Sequence, residues 1–364
     1  MAEIKRLISL DAFRGFTIAA MIMVNNPGSW SHVYKPLLHA DWNGLTPTDL
    51  IFPFFIFIVG VSIVLAYTKR LQAGVAKGPM YKKIVIRSIK IFVVGILLWL
   101  FPKFDFETLR IAGVLQRIAI VFLVSAILFL ITKWKTQAVV AGIILVGYWL
   151  AMVLIPTPGH GQVMLEPGAN LAAWIDSKFL PGYMWQKTWD PEGLFSTLPA
   201  IATGITGMLA GHLIVSNLQQ ERKVIYLFSI SFFAFLIGYF WNYTFPINKN
   251  IWTSSFVLAT SGLAGMVLAV SIFFVDIIGR TRLTKPGIIF GSNAIAVYVL
   301  ADVWGQFFYR INIGGSSLNI HFLNMFEQFN WSLKFGSLLY SLIFIGFNFI
   351  PAWILYKKKI FIKL

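Results

Sequence analysis

The chain has 364 residues, of which 58% are hydrophobic and only 12% charged. A soluble domain averages about 25% charged residues, so this excess of apolar surface requires lipid and excludes an ordinary soluble globule. The net charge of +16 is spread over short connectors between apolar runs, which argues against a nucleic-acid surface. With no cysteine, the chain holds no disulfide framework, thiol nucleophile or thiolate metal site.

A membrane-crossing helix needs about 20 mostly apolar residues. In chain order the runs predict an all-α, polytopic membrane protein with about ten transmembrane helices, at about 7–26, 49–68, 84–101, 111–132, 137–156, 195–215, 223–244, 252–276, 288–309 and 333–356. The first run follows Lys5 and Arg6 like a secretory leader, but Asp11 and Arg14 interrupt it, so it is read as a retained helix. No linker divides the chain, which predicts a single domain over 1–364. If the N-terminus is cytoplasmic, 20 Lys and Arg residues fall on the inner side and 8 on the outer. By the positive-inside rule both termini are then cytoplasmic.

Two outer connectors, about 27–48 and 157–194, are longer than the usual limit of about 12–15 residues for structureless loops. The second carries Leu171, Trp174, Ile175, Phe179, Tyr183 and Trp185, which predicts a segment folded over the outer face. At the end of the first, Thr46, Pro47 and Asp49 spell an N-cap, a first-turn proline and a capping-box acid. Asp49 is therefore a helix cap or a functional acid, and Asp190 and Glu192 repeat the device before the sixth span. Pro53 is expected to kink the second helix and free a carbonyl.

Other polar residues lie where lipid would not tolerate them. Asp11 and Arg14 share a helix face; they either neutralise each other or leave Arg14 to bind an anion in a cavity. Gln116 and Arg117 near the start of the fourth span, and Ser292, Asn293 and Tyr298 in the ninth, suit helix–helix hydrogen bonds or ligand contacts. His39 in the first outer loop is a candidate general base. Asn25, at the end of the first helix, is a helix C-cap or an amide donor to an oxyanion.

These residues fall in segments that occur together in one family. They are SLDAFRGFTIAAMIMVN from Ser9, HADWNGLTPTDLIFPFF from His39, GVLQRIAI from Gly113, DPEG from Asp190, NKNIWTSSF from Asn248 and GSNAIAVYV from Gly291. In this order, over nearly the whole chain, they resemble the catalytic membrane domain of the heparan-α-glucosaminide N-acetyltransferase family. The chain lacks the lysosomal enzyme's N-terminal luminal region and first helix, so it looks like a bacterial relative, multi-pass in the cytoplasmic membrane.

The resemblance implies acetyl transfer from cytoplasmic acetyl-CoA to the amino group of a glucosamine-type sugar on the far side. By match to the motif, His39 is the catalytic histidine and Asn25 its partner, with Asp49 or Asp41 orienting the imidazole. Arg14, Gln116, Arg117, Ser292 and Asn293 are the expected contacts for the donor, and Asp41, Trp42, Asn43, Asp190 and Glu192 those for the acceptor. From Arg14 to Asn25 is about 16 Å at 1.5 Å per helical residue, a path for the pantetheine arm. Arg87, Lys90 and the cytoplasmic basic clusters are candidate phosphate partners. The histidines lack ligand spacing, so no metal is expected; a homodimer is compatible with the sequence. The competing readings are an O-acyltransferase of an envelope glycan and an amino-sugar secondary transporter.

Overall fold

The structure, a computed structural model, describes residues 6–362, and these form helices joined by short connectors. The helices are α1 (Ile8–Asn25), α2 (Ile51–Gln72), α3 (Lys77–Leu100), α4 (Val114–Ile131), α5 (Trp134–Leu154), α6 (Leu171–Phe179) and α7 (Thr197–Ile214). They continue with α8 (Gln220–Trp241), α9 (Ser254–Ser271), α10 (Lys285–Ser292), α11 (Ala294–Arg310), α12 (Leu318–Gln328) and α13 (Leu333–Lys357). The β-structure among the described residues is small, a pairing of Asn312–Ile313 with Ser316–Ser317 and an isolated bridge between Arg110 and Gly182.

Among the described residues, eight helices are long and apolar enough to cross a membrane, or nine if the bent pair α10 and α11 counts as one span. The all-helical, polytopic fold is as expected, and each of the ten expected runs contains a helix. The third predicted span does form, as α3, but Lys82, Lys83, Arg87 and Lys90 crowd the stretch up to Lys90, and charge at that density is costly in lipid. The ninth is broken by a bend of 83° between Ser292 and Ala294. The lipid requirement inferred from composition is visible on α8, where Ile225, Phe228, Ile230, Phe233, Ile237 and Phe240 are all exposed.

By internal contacts the chain divides into two compact units. One comprises Asp41–Leu45 with Pro53–Ile278 and holds α3 to α9 with most of α2. In it α8 packs on α9, α3 on α4, and α7 against α4, α5 and α9. Glycines let backbones meet: a Cβ on Gly60 would lie 2.0 Å from the Gly204 carbonyl oxygen, and one on Gly207 2.1 Å from that of Phe57. This is the small-residue packing by which helices associate in lipid. The long connector before α7 is folded, as expected. α6 is capped by Asn170 and, with Leu171 and Ala172, packs on Tyr148, Met152, Phe245 and Ile251.

The other unit comprises Leu7–Ala40, Thr46–Phe52 and the chain from Gly279 onward, with α1 and α10 to α13. A Cβ on Gly15 would fall 1.7 Å from the Gly287 carbonyl oxygen, so α1 and α10 touch main chain to main chain. At the break after α10, the buried Asn293 pairs its side-chain amide with a distant stretch of backbone. Its Nδ2 donates to the Ile360 carbonyl at 3.0 Å, and its Oδ1 accepts from the Ile362 amide at 2.7 Å.

The capping box predicted at the second helix is present: Thr46 caps, Pro47 opens a short 3-10 turn over Pro47–Leu50, and Asp49 closes the box. This turn leads into α2 at Ile51, so Pro53 lies in the first turn of α2 and not in its interior. The expected kink is corrected, because a first-turn residue has no obligatory intrahelical amide bond for proline to remove.

Candidate active site

Asp49 is the centre of the first cluster. Its side chain is 1% exposed, and both carboxylate oxygens accept hydrogen bonds. Oδ2 takes the Thr46 amide at 3.0 Å, the Thr46 hydroxyl at 2.9 Å and the Ala40 amide at 3.1 Å. Oδ1 takes Nδ1 of His39 at 2.7 Å. The carboxylate that caps the helix start is thus also the one in contact with the His39 ring. A carboxylate can only accept, so Nδ1 is the protonated nitrogen and Nε2 the basic one. The His39 side chain is 48% exposed while its partner is buried, the disposition of a base fixed from behind. Upstream, Thr48 donates to the Pro36 carbonyl at 3.2 Å and ties the 3-10 turn Lys35–Leu37 to the same cap.

Asn25 is the last residue of α1 and is exposed. Arg14 pairs with Asp11 at 3.5 Å, with both side chains partly exposed. Ser292 donates to the Ile289 carbonyl at 2.8 Å, and Asn293 is committed to the backbone as described. All these residues belong to the unit that holds His39 and Asp49.

The remaining predicted residues belong to the other unit. Asp41 is exposed. Trp42 donates to the Leu165 carbonyl at 3.0 Å and stands edge-on to Trp189 at 5.1 Å. The Asn43 carbonyl oxygen accepts from Nδ2 of the fully buried Asn248 at 3.0 Å. Asp190 and Glu192 converge on Arg110, in the connector between α3 and α4. Arg110 donates Nε and Nη2 to Asp190 at 2.7 and 2.5 Å, and Nη2 to Glu192 at 2.6 Å. Trp99 and Trp185 flank the guanidinium at 5.8 and 5.2 Å. Burial alone would raise the Asp190 pKa, but its bonds to Arg110 outweigh this and hold it below the usual carboxylate value.

A second arginine grips the same turn. Arg117, buried in the first turn of α4, donates Nη2 to the Gly193 carbonyl at 3.1 Å and to the Ser196 hydroxyl at 2.5 Å. Its guanidinium lies 5.0 Å from the Trp252 ring centre. Gln116 is wedged against Gly95 and Gly113, where a Cβ would come within 2.5 and 2.7 Å of its Oε1. Asp176 completes the clamp by accepting the Leu194 and Phe195 amides at 2.8 and 3.3 Å. Among the described residues, no three His, Asp or Glu side chains are grouped to hold a metal ion.

Burial pushes the Asp176 carboxyl up to about 6 from an ordinary 3.8. Between those values the folded protein binds more protons at this group than the unfolded chain, so its contribution to stability falls as pH rises through the window. Asp176→Asn keeps an acceptor and removes the titration. The melting temperature of the variant minus that of the wild type should therefore increase between pH 4 and pH 6.5; a flat difference would show that Asp176 ionises normally.

The described residues thus form a helical, multi-span membrane protein in which a buried carboxylate holds a partly exposed histidine. Residues 6–240 match the profile of heparan-alpha-glucosaminide N-acetyltransferase, catalytic, and the chain belongs to that family of membrane-bound acetyltransferases. It is similar to the human heparan-alpha-glucosaminide N-acetyltransferase, with 28% identity over 424 aligned positions, covering 99% of this chain and 60% of the human protein. The mouse protein of the same name is 27% identical over 423 positions, with the same coverage. The chain thus spans about three-fifths of the length of the curated relatives it matches.

Proposed function

We propose that the chain is an acetyl-CoA-dependent N-acetyltransferase that acts on a glucosamine-type amino sugar and moves the acetyl group across the membrane in which it sits. The observation that carries this reading is the 2.7 Å contact between His39 Nδ1 and buried Asp49, inside the stretch that matches the family. The positive-inside bias supports a cytoplasmic donor side and an outer acceptor side, as in a bacterial cytoplasmic membrane.

The thioester supplies an activated acetyl group. Overall its carbon–sulfur bond breaks and a carbon–nitrogen bond forms, while the acceptor ammonium gives up two protons, one to the sulfur and one to water. His39 Nε2 removes the proton from the acceptor nitrogen or itself takes the acetyl group; both routes need Nε2 basic, as the Asp49 contact makes it. Asn25 offers an amide N–H to negative charge developing on the acyl oxygen. Arg14, a guanidinium on α1 beside Asp11 at 3.5 Å, is the group proposed to meet a donor phosphate. Asp190 and Glu192 serve the acceptor by shaping the turn that Arg110 holds.

The test is transfer from labelled acetyl-CoA to glucosamine by the purified full chain in nanodiscs. An amide product supports the proposal. An ester product on a glycan hydroxyl would favour the O-acyltransferase, and sugar uptake without consumption of acetyl-CoA would favour the transporter.

A further inference from the structure

A carboxylate inside a membrane-spanning helix is costly and is normally paired. Asp302, in the third turn of α11, is partly buried, yet no hydrogen bond or ion pair reaches it among the described residues, and no charged group offsets its burial. Gln306 lies one turn further along the same face. It too is partly buried and without a hydrogen-bond partner among the described residues. Two polar side chains on an apolar span, one above the other and both without a side-chain partner among the described residues, offer a place for a ligand or water.

Their place in the fold says which ligand. α11 packs against α1 and the chain just beyond it: a Cβ on Gly305 would come 2.8 Å from Asn26 Oδ1, and the Tyr309 hydroxyl donates to the Pro27 carbonyl. At about 100° per residue, Asp302 and Gln306 lie about 60° and 100° round α11 from Gly305, both toward the same flank. Asn25, the last residue of α1, directly precedes Asn26 in the chain. Asn25 likewise makes no hydrogen bond among the described residues. Asp302 is three residues before Gly305, hence only about 4.5 Å along the axis from the level of the α1 end. From that end the chain passes into the loop that carries His39.

We infer that Asp302 is the ammonium-binding group for the acceptor, with the Gln306 carbonyl as a second acceptor of its N–H bonds, beside the end of α1 that carries Asn25. This rests on the acetyltransferase reading and deepens it: the acceptor is bound as a primary ammonium, so a neutral hydroxyl compound of the same shape is discriminated against. An ion pair in low dielectric, with hydrogen bonds to the charged group, supplies both affinity and that discrimination.

The experiment uses the full chain in nanodiscs, with Asp302→Asn, Asp302→Glu and Gln306→Ala. For Asp302→Asn the KM for glucosamine should rise by about tenfold or more, with a smaller change in kcat and unchanged protection by acetyl-CoA against thermal unfolding. Asp302→Glu should recover part of the loss, and Gln306→Ala should raise KM severalfold. Without turnover, glucosamine but not glucose should protect the wild type, and Asp302→Asn should abolish that protection. A wild-type KM in Asp302→Asn would overturn the inference, because a carboxyl that is merely packed and protonated is replaced silently by its amide. If Asp302→Asn does not fold, a wild-type KM in Gln306→Ala overturns it instead. Absence of acetyl transfer in the wild type would defeat the acetyltransferase reading, whereas Asp302-dependent protection by glucosamine would still support the ammonium site.

Discussion

His39→Ala should lower acetyl transfer to glucosamine by about 10²–10⁴-fold, the range typical of removing a general base. The ring is half exposed and donates one bond to Asp49, so its loss should leave the melting temperature within a few degrees of wild type. Asp49→Asn is the informative companion. Three of the bonds to Asp49 come from Thr46 and Ala40, and these the amide oxygen can keep in part, so the helix start survives. A neutral amide cannot stabilise the imidazolium or enforce Nδ1 protonation in the same way, so kcat should fall while folding persists. Wild-type rates in His39→Ala would move the chemistry to another group.

The largest effect on stability is expected at Arg110. Its guanidinium answers two carboxylates whose side chains are 0% and 9% exposed, Asp190 and Glu192. Removing one partner of a buried ion pair costs about 3–5 kcal/mol, because the charge left behind has neither water nor a counterion. Arg110→Ala should therefore melt far below wild type in nanodiscs. Arg110→Lys should recover only part of the loss, since an ammonium cannot form the bidentate contact to Asp190. A triple variant with Arg110→Met, Asp190→Asn and Glu192→Gln should be more stable than Arg110→Ala alone. If it were less stable, desolvated charge would be the wrong account of the cluster.

What could be read from the sequence was local or periodic. Apolar runs marked the helices, and the Thr46, Pro47, Asp49 spacing marked a helix start that the structure contains. Choosing between Asp41 and Asp49 as the acid beside His39 was beyond spacing, because the loop's course decides it: His39 meets Asp49 across ten residues. Arg110 escaped notice because its partners are 80 and 82 residues away, and hydropathy treats it as one more connector charge. Asp302 was passed over for the opposite reason, being one acid in a run apolar enough to average it out. Ser292 and Asn293 stood out as polar, but a break between α10 and α11 depends on backbone partners that arrive from residues 360–362.

The Asn293 pairing makes the interrupted helix a matter of chain register. The side-chain amide reads a carbonyl at 360 and an N–H at 362, groups that almost every residue possesses. The segment is thus free to vary in side chains but not in count. Inserting or deleting one residue between α13 and position 360 would offer Asn293 the wrong groups, and a proline at 362 would remove the donor altogether. Mutational tolerance there should look like that of a β-strand partner, though no strand is present.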